Sequence, residues 1–273
     1  MIRKKIALRV LTYFLVVIVV VVFFIPIYWI VTTSFKLGSE IFDYTFFFKP
    51  ILNNYRSVLS EASFQRYYLN SLLVAVFSTL IAMILGFGVS YGFSRFAIQK
   101  KDSLLFFILS MRMIPPIVVA IPFFLMFRKI GLYDSLLGLV LIYVAFNLPF
   151  VIWVLRGFID EVPVELEEAA MIDGCSRLKL LRHVTVPISF TGIMATAVLC
   201  FIFVWNEFFF ALILTGVNRR TVTVGVYNFI GFAQISWGQM CAASLLVSIP
   251  IIIFGILVRK NLVSGLTFGA LKE

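Results

Sequence analysis

Residues 10–33 read VLTYFLVVIVVVVFFIPIYWIVTT, a run of 24 residues without a single charged side chain. A membrane-spanning helix needs about 20 apolar residues to cross a hydrocarbon core of roughly 30 Å. Five further apolar segments of comparable length occur, at 68–93, 103–127, 135–156, 188–215 and 237–258. Because lipid offers no hydrogen-bond partner to exposed backbone groups, each segment is expected to be helical. The sequence therefore predicts an all-α membrane protein built as a bundle of six transmembrane helices.

The composition of the chain supports this class. Of its 273 residues, 62% are hydrophobic and 13% are charged, whereas a soluble domain carries about 25% charged residues. The net charge of +10 does not indicate nucleic-acid binding, because the Lys and Arg residues lie at the ends of apolar runs and form no basic stripe. The cysteines Cys175, Cys200 and Cys241 have neither paired spacing nor a nearby histidine. We therefore expect a lipid bilayer as the surroundings, no nucleic acid and no metal site.

The distribution of positive charge predicts the orientation of the bundle. With six spans, the N-terminus, the 94–102 turn, the 156–187 segment and the 259–273 tail share one side. That side carries fourteen Lys and Arg residues and the opposite side carries eight, so both termini and the 156–187 segment are expected in the cytoplasm. The predicted regions are an N-terminal segment with the first helix (1–33), an extracytoplasmic loop (34–67), a five-helix core (68–259) and a cytoplasmic tail (260–273).

The segment 156–187 is charged, although it lies between two long apolar runs. Pro163 suits the first turn of a helix, and the acidic residues that follow it suit the positive end of the helix dipole. Gly174 can adopt the left-handed conformation that ends such a helix. Ser176 can cap a second, basic helix that runs to Pro187. The sequence thus predicts a bracket of two short helices joined by a turn at Gly174.

Residue order within this segment is specific. Glu168-Ala169-Ala170 is followed after three residues by Gly174, and after nine more by Val-x-Val-Pro, ending at Pro187. This pattern resembles the "EAA" loop of ABC importer permeases, in which Ile-x-Leu-Pro is the usual ending. The segments 112–116, 142–150, 203–208 and 265–270 are similar to the smaller permease subunit of maltose-type carbohydrate importers (MalG-like permeases). The resemblance covers about residues 70–273.

This resemblance implies the fold of a type I ABC importer permease in the plasma (inner) membrane of a prokaryote. It implies half of the translocation pathway for a sugar or oligosaccharide. The implied partners are a homologous second permease, two ATPase subunits that bind ATP and Mg, and an extracytoplasmic solute-binding protein. The ATPase-coupling residues that it implies are Glu167, Glu168, Ala169, Ala170, Asp173, Gly174 and Pro187. It also implies that the 216–236 loop reaches the binding protein and that the tail from Leu266 to Glu273 contacts the ATPase.

Polar residues within the apolar runs are candidates for a functional role, because they are costly in lipid. Trp205, Asn206 and Glu207 lie near the expected outer boundary, where they could line a solute path with the indole as a stacking face. Alternatively, Trp205 belongs to an interfacial aromatic belt and Glu207 is paired within the bundle. Arg112 either pairs with a freed carbonyl group or an acid of a neighbouring helix, or serves as a gate or subunit contact.

Catalytic motifs are absent from the sequence. It contains no phosphate-binding Gly-x-x-x-x-Gly-Lys-Ser/Thr and neither His-Glu-x-x-His nor Gly-x-Ser-x-Gly. We therefore expect no catalytic residue and no cofactor in this chain, which would be a transport subunit and not an enzyme. Two alternatives remain open: an ABC permease for a non-sugar solute such as glycerol phosphate, and an ion-coupled secondary transporter. The latter would call for charged intramembrane pairs and two related halves.

Overall fold

The computed structural model describes the backbone of residues 2–42, 48–230 and 235–268, and the side chains of residues 9–42, 48–230 and 235–256. Two expectations from the sequence therefore lie partly outside the described residues. The first is the ATPase contact of the tail, since residues 269–273 and the side chains from 257 onward are not included. The second is the 216–236 loop, of which residues 231–234 are not included.

The described residues are helical, and the all-α prediction is confirmed. The α-helices are α1 (Ile2–Ser34), α2 (Asn53–Ser60), α3 (Ala62–Arg95), α4 (Lys101–Met111), α5 (Pro116–Lys129), α6 (Leu136–Asp160), α7 (Val164–Ile172), α8 (Arg177–Leu180), α9 (Val186–Ile188), α10 (Phe190–Trp205), α11 (Phe209–Leu214), α12 (Val222–Tyr227) and α13 (Trp237–Phe268). A π-helical turn, Leu181–Thr185, joins α8 to α9. The described part of the chain has no strand, only an isolated antiparallel bridge between Ile230 and Ile235.

Four of these helices are long and apolar enough to cross a membrane: α1, α3, α6 and α13. Two bent helix pairs raise the number of candidate spans to as many as six, which agrees with the six apolar runs of the sequence. Several helices extend beyond those runs; α6, for example, continues to Asp160. The reason is that hydropathy marks the part of a helix that lies in lipid, whereas the helix itself continues into polar residues.

The third and fifth apolar runs are not single continuous helices. The third is divided into α4 and α5, which meet at an angle of 80°. Pro115 and Pro116 account for this break, because proline lacks a backbone N–H and restricts the residue before it to extended conformations. The fifth run consists of α10, a break at residues 206–208 and the short helix α11.

Of the described residues, those within 1–65 and 225–248 form one compact unit, and those within 66–224 and 249–273 form another. In the first unit, the Ser34 and Tyr55 hydroxyl groups are 2.8 Å apart, and the Asn54 amide donates to the carbonyl oxygens of Ser34 and Lys36 at 2.9 Å. These bonds attach α2 to the end of α1.

The second unit is organised around α6, which packs against α4, α10 and α11. Gly192 permits the close approach of α10, since a Cβ atom at this position would lie only 2.1 Å from the Phe158 ring. Small residues at such crossings allow membrane helices to pack closely. This packing places the breaks at residues 112–115 and 206–208 beside α6.

Candidate functional sites: a charged bracket and a polar cavity

The bracket predicted from the sequence, here defined as residues 161–188, is present. Its first helix, α7, ends at Ile172, and Gly174, two residues later, has φ +80°. The Cys175 N–H donates to the Ala170 carbonyl and the Gly174 N–H donates to the Met171 carbonyl, both at 3.0 Å. This pair of bonds defines a Schellman motif, which ends a helix with a residue in the left-handed conformation. The predicted conformation of Gly174 is thereby confirmed.

The second arm of the bracket differs in detail from the prediction. Ser176 precedes α8 as expected, but its side chain makes no capping hydrogen bond. The arm does not stop at Pro187; it passes through the π-helical turn and ends at Ile188. There it meets α10 at an angle of 79°. The bracket is thus joined directly to a membrane helix.

Glu167 is the buried centre of the bracket. Its carboxylate forms an ion pair with the Arg95 Nε atom at 2.9 Å, and the two side chains are 4% and 9% exposed, respectively. Thr185 Oγ1 donates to Glu167 Oε1 at 2.8 Å, and the Tyr91 hydroxyl donates to Oε2 at 3.1 Å. One carboxylate therefore holds together α3, α7 and the π-helical turn.

Arg95 extends this network to the end of α6. Its Nη2 atom donates to the carbonyl oxygens of Ile159 at 3.1 Å and Val162 at 2.8 Å. Charged groups are rarely buried unless they are paired and hydrogen-bonded, and both conditions are met. The family resemblance placed both Glu167 and Glu168 among the ATPase-coupling residues. Because Glu167 is buried, it is not part of a docking surface, and it can contribute to coupling only by fixing the bracket to the bundle.

The other coupling candidates lie on the outside of the bracket. Glu168, Ala169, Asp173, Gly174 and Pro187 are exposed and Ala170 is partly buried. Beside them are two apolar side chains that sequence analysis missed, Ile172 at 86% and Leu178 at 79% exposure. Their signal in the sequence was weak, because an apolar residue in a short amphipathic helix is expected to point inward. Here both residues flank the turn at Gly174 and are largely open to the surroundings.

A polar cavity of about 240 Å³ lies where the two helix breaks approach α6. Its lining residues are Arg112, Ile114, Pro116, Tyr143, Phe146, Asn147, Phe203, Glu207 and Phe210. Arg112 and Ile114 belong to the first break, and Glu207 belongs to the second. Irregular backbone at membrane depth is tolerated where it is buried in protein or lines a cavity. The two breaks and the cavity are therefore one structural feature.

Arg112 pairs with groups of α6 and not with an acid. Its Nη1 atom donates to the Phe146 carbonyl and to Asn147 Oδ1, each at 3.1 Å. The guanidinium group also lies over the rings of Phe150 and Phe203, at 5.2 and 4.6 Å from their centroids. These contacts agree with the first alternative for Arg112 in that it pairs with a carbonyl group of a neighbouring helix.

Glu207 caps the short helix α11. Its Oε1 atom accepts a hydrogen bond from the Phe210 N–H at 2.9 Å, and its Oε2 atom accepts one from the Ala211 N–H at 3.3 Å. No ion pair joins Glu207 to Arg112 in the part of the chain that the structure describes, although both line the cavity. Arg112 and Glu207 therefore line the same cavity, and each of them is hydrogen-bonded to backbone groups.

Trp205 and Asn206 do not line this cavity, so two of the three residues predicted for a solute path are displaced from it. The Trp205 side chain is only 1% exposed and packs against the rings of Phe201 and Tyr68, at 5.7 and 5.6 Å. In this structure it is a core residue, and its indole is open neither to a solute path nor to an interfacial belt. Asn206 is exposed, and its amide donates to the Ile202 carbonyl at 2.8 Å. Sequence analysis missed Tyr143 and Asn147 because a polar residue in an apolar run does not show which way it points.

Comparison with known proteins identifies the chain's relatives. The family of binding-protein-dependent transport system inner membrane components matches residues 84–266. The trehalose/maltose transport system permease protein MalG of Thermococcus litoralis is 36% identical over 279 residues, covering 99% of each chain. The trehalose transport system permease protein SugB of Mycobacterium tuberculosis is 34% identical over 252 residues, covering 91% of this chain and 92% of that protein.

The fold is also found in a solved structure. A chain from a bacterial ABC transporter involved in the import of the acidic polysaccharide alginate superposes with a TM-score of 0.79 at 23% identity, covering 94% of this chain and 97% of that chain. The fold and the full-length relatives exclude the ion-coupled secondary transporter considered above. The chain therefore belongs to the family of binding-protein-dependent transport system inner membrane components, and it is a multi-pass permease of an ABC importer.

Proposed function

We propose that this chain is the permease subunit of a sugar or oligosaccharide importer and that its bracket receives the movement of a separate ATPase subunit. A homologous second permease would supply the other half of the pathway. An extracytoplasmic binding protein would deliver the solute, and ATP and Mg would be bound by the ATPase. Relatives that are named as trehalose and maltose permeases support the solute class.

The observation that carries the coupling proposal is the contrast within the bracket between a buried anchor and an exposed apolar tip. Movement can be transmitted only through an element that is fixed to what it moves, and the ion pair of Glu167 with Arg95 fixes the bracket to α3 and α6. The bracket must also bind the ATPase subunit that moves it. Burying a side chain such as Ile172 or Leu178 contributes about 1.5–3 kcal/mol, which makes the tip a suitable binding surface.

The remaining candidates have complementary roles in this proposal. The small side chains of Ala169 and Ala170 allow the ATPase surface to approach α7 closely. The charges of Glu168 and Asp173 orient the contact, since charged groups at the rim of an interface set its register more than its affinity. Gly174 provides the turn on which the tip depends. The bracket and both termini would then lie on the cytoplasmic side, as the charge distribution predicts.

The coupling proposal is tested by Leu178→Ser, which removes half of the exposed apolar tip without touching the buried anchor. We expect normal amounts of the variant in the membrane and a roughly 10- to 100-fold weaker association with the ATPase subunit, from the lost burial of one leucine. Retention of the ATPase on affinity-purified permease and sugar uptake by the same cells would measure both effects.

The matched control is Leu52→Ser, because Leu52 is also strongly exposed, at 65%, but lies outside the bracket. It should leave ATPase retention unchanged. Wild-type retention and uptake in Leu178→Ser would contradict the assignment of the tip as the ATPase contact. Uptake of labelled maltose and trehalose compared with glycerol phosphate, in the same cells, decides between the two solute classes.

A further inference from the structure

We infer that the polar cavity is a subsite for one ring of a neutral, hydroxyl-rich saccharide, with Arg112, Tyr143 and Glu207 as its polar contacts. This inference rests on the proposed function, because it assumes that a sugar crosses the bundle. It adds the place where the sugar is held and the groups that hold it.

The first argument is that polar groups in the cavity retain unused hydrogen-bonding capacity. The Tyr143 hydroxyl is buried and makes no hydrogen bond of ordinary geometry, although the Glu207 carboxylate is an electrostatic neighbour. A guanidinium group has five N–H donors, and only the Nη1 atom of Arg112 has a hydrogen-bond partner among the described residues. Unsatisfied buried polar groups are uncommon because they cost free energy. The Tyr143 hydroxyl and the half-buried Arg112 guanidinium group line the same cavity, where a polar ligand could use both.

The second argument concerns charge. Arg112 contributes a cation, Glu207 a carboxylate and Asn147 a neutral amide, so the cavity has no excess of one sign. A phosphate group would be attracted by Arg112 but repelled by Glu207, and like charges brought together are disfavoured. A sugar hydroxyl both donates and accepts a hydrogen bond, so it can accept from Arg112 while it donates to Glu207. The cavity therefore favours a polyhydroxylated neutral solute over glycerol phosphate.

The third argument is the size and the walls of the cavity. A volume of about 240 Å³ is below the roughly 300–1,000 Å³ of pockets for drug-sized ligands, which suits a single ring better than an extended chain. The rings of Phe146 and Phe210 pack 4.6 Å apart and form an apolar part of the cavity lining. Small-molecule sites combine apolar walls with a few polar groups that fix orientation, and a sugar ring offers both kinds of surface.

The helix breaks give this subsite a means of opening. Arg112 lies at the end of α4 and Glu207 lies at the start of α11. Because two helices are interrupted at the cavity, the segments on either side of each break can change their relative angle. No hydrogen bond within a helical turn needs to break. A solute held by both breaks would therefore be sensitive to the movement that the bracket delivers through α10.

The test is Tyr143→Phe, which removes one hydroxyl group and leaves the ring in place. Because the only neighbour identified for this hydroxyl is the Glu207 carboxylate, without a hydrogen bond of ordinary geometry, the thermal unfolding temperature of the variant should change little. The complete transporter is reconstituted in proteoliposomes with its binding protein and ¹⁴C-labelled maltose or trehalose. We expect sugar transported per ATP hydrolysed to fall roughly 5-fold, the effect of losing one typical hydrogen bond to the solute.

The matched control is Tyr67→Phe, because Tyr67 is similarly buried but lies on α3 away from the cavity. It should leave the ratio unchanged. An unchanged ratio in Tyr143→Phe overturns the subsite, since a cavity that holds only water would behave in this way. An equal fall in both variants overturns it as well. If the wild-type transporter moves glycerol phosphate and neither sugar, the proposed solute class fails; if it moves sugar and Tyr143→Phe is unaffected, only the subsite fails.

Discussion

Arg95 with Glu167 in the bracket and Arg112 with Glu207 in the cavity are the same two residue types in opposite arrangements. In the bracket the two side chains bind each other at 2.9 Å, and the acid accepts two further hydrogen bonds. In the cavity each charged group binds backbone atoms and no ion pair joins the two within the described residues. In the first arrangement the two charged groups bind each other and stabilise one geometry. In the second, the two charged groups do not bind each other and both line an open cavity.

This difference indicates how a buried charge can be classified. A charge whose partners are all internal stabilises one geometry, and its loss should appear mainly as loss of stability. A charge that faces a cavity with unused donors and acceptors has capacity for a ligand, and its loss should appear mainly in transport. The comparison can be tested by making the same substitution at both acids and by perturbing the turn that the first one anchors.

The largest effect is expected from Glu167→Gln. Arg95 would remain buried without its counter-charge, and breaking a buried ion pair by removing one partner costs about 3–5 kcal/mol. The bracket should become sensitive to proteolysis, the free energy of unfolding should fall by about this amount, and ATPase association should be lost. Limited proteolysis and thermal unfolding in detergent measure the effect. Glu165→Gln, at an exposed position of the same helix, is the control and should change stability by less than about 0.5 kcal/mol.

An intermediate effect is expected from Gly174→Val. A Cβ atom would meet nothing within 4 Å at this position, so the cost arises from the backbone, where a left-handed conformation costs about 1–2 kcal/mol for a residue other than glycine. The tip should shift, so that sugar uptake is abolished and ATPase co-purification weakened while the chain remains in the membrane. Gly157→Val is the control, because Gly157 has equal space but lies within a helix without a positive φ. Equal uptake by the two variants would show that the turn is not required for coupling.

The smallest effect on stability is expected from Glu207→Gln. The amide oxygen of glutamine can still accept the hydrogen bond from the Phe210 N–H, whereas its NH2 group cannot accept the longer one from the Ala211 N–H. The loss of this bond and of the charge should together cost about 1 kcal/mol. Sugar transport should nevertheless fall, because the carboxylate is a proposed contact of the solute. Thermal unfolding and uptake are measured beside Glu167→Gln. If Glu207→Gln were destabilised as much as Glu167→Gln, both acids would serve mainly to stabilise the fold. The proposed difference between the bracket and the cavity would then be wrong.

Much of the fold could be predicted because it depends on local composition. The length of the apolar runs predicted the helices, and the positions of Pro163 and Gly174 predicted where α7 begins and ends. These predictions succeeded because bilayer thickness and backbone conformation act on residues that are adjacent in sequence. The pair Pro115-Pro116 could not by itself predict the angle of 80° between α4 and α5, since that angle depends on what the two helices pack against.

The candidate sites could be predicted only in part. The Glu-Ala-Ala pattern located the bracket, but it could not separate Glu167 from Glu168, because neighbouring residues of a helix differ in direction and not in chemistry. Trp205 was expected at a solute path, yet the packing of Phe201 and Tyr68 encloses it. Such errors arise where function depends on the face of a helix that a side chain occupies.

The sequence by itself determined the helical membrane class, the number of apolar runs and the turn at Gly174, because each follows from short stretches of chain. The tertiary structure alone decided that Arg95, 72 residues before Glu167, is its partner, and that Arg112, Tyr143 and Glu207 share a cavity. The physical reason is that electrostatic pairing and cavity formation depend on distances through space. Those distances are set by the packing of α3, α6 and α10, which no single stretch of the sequence contains.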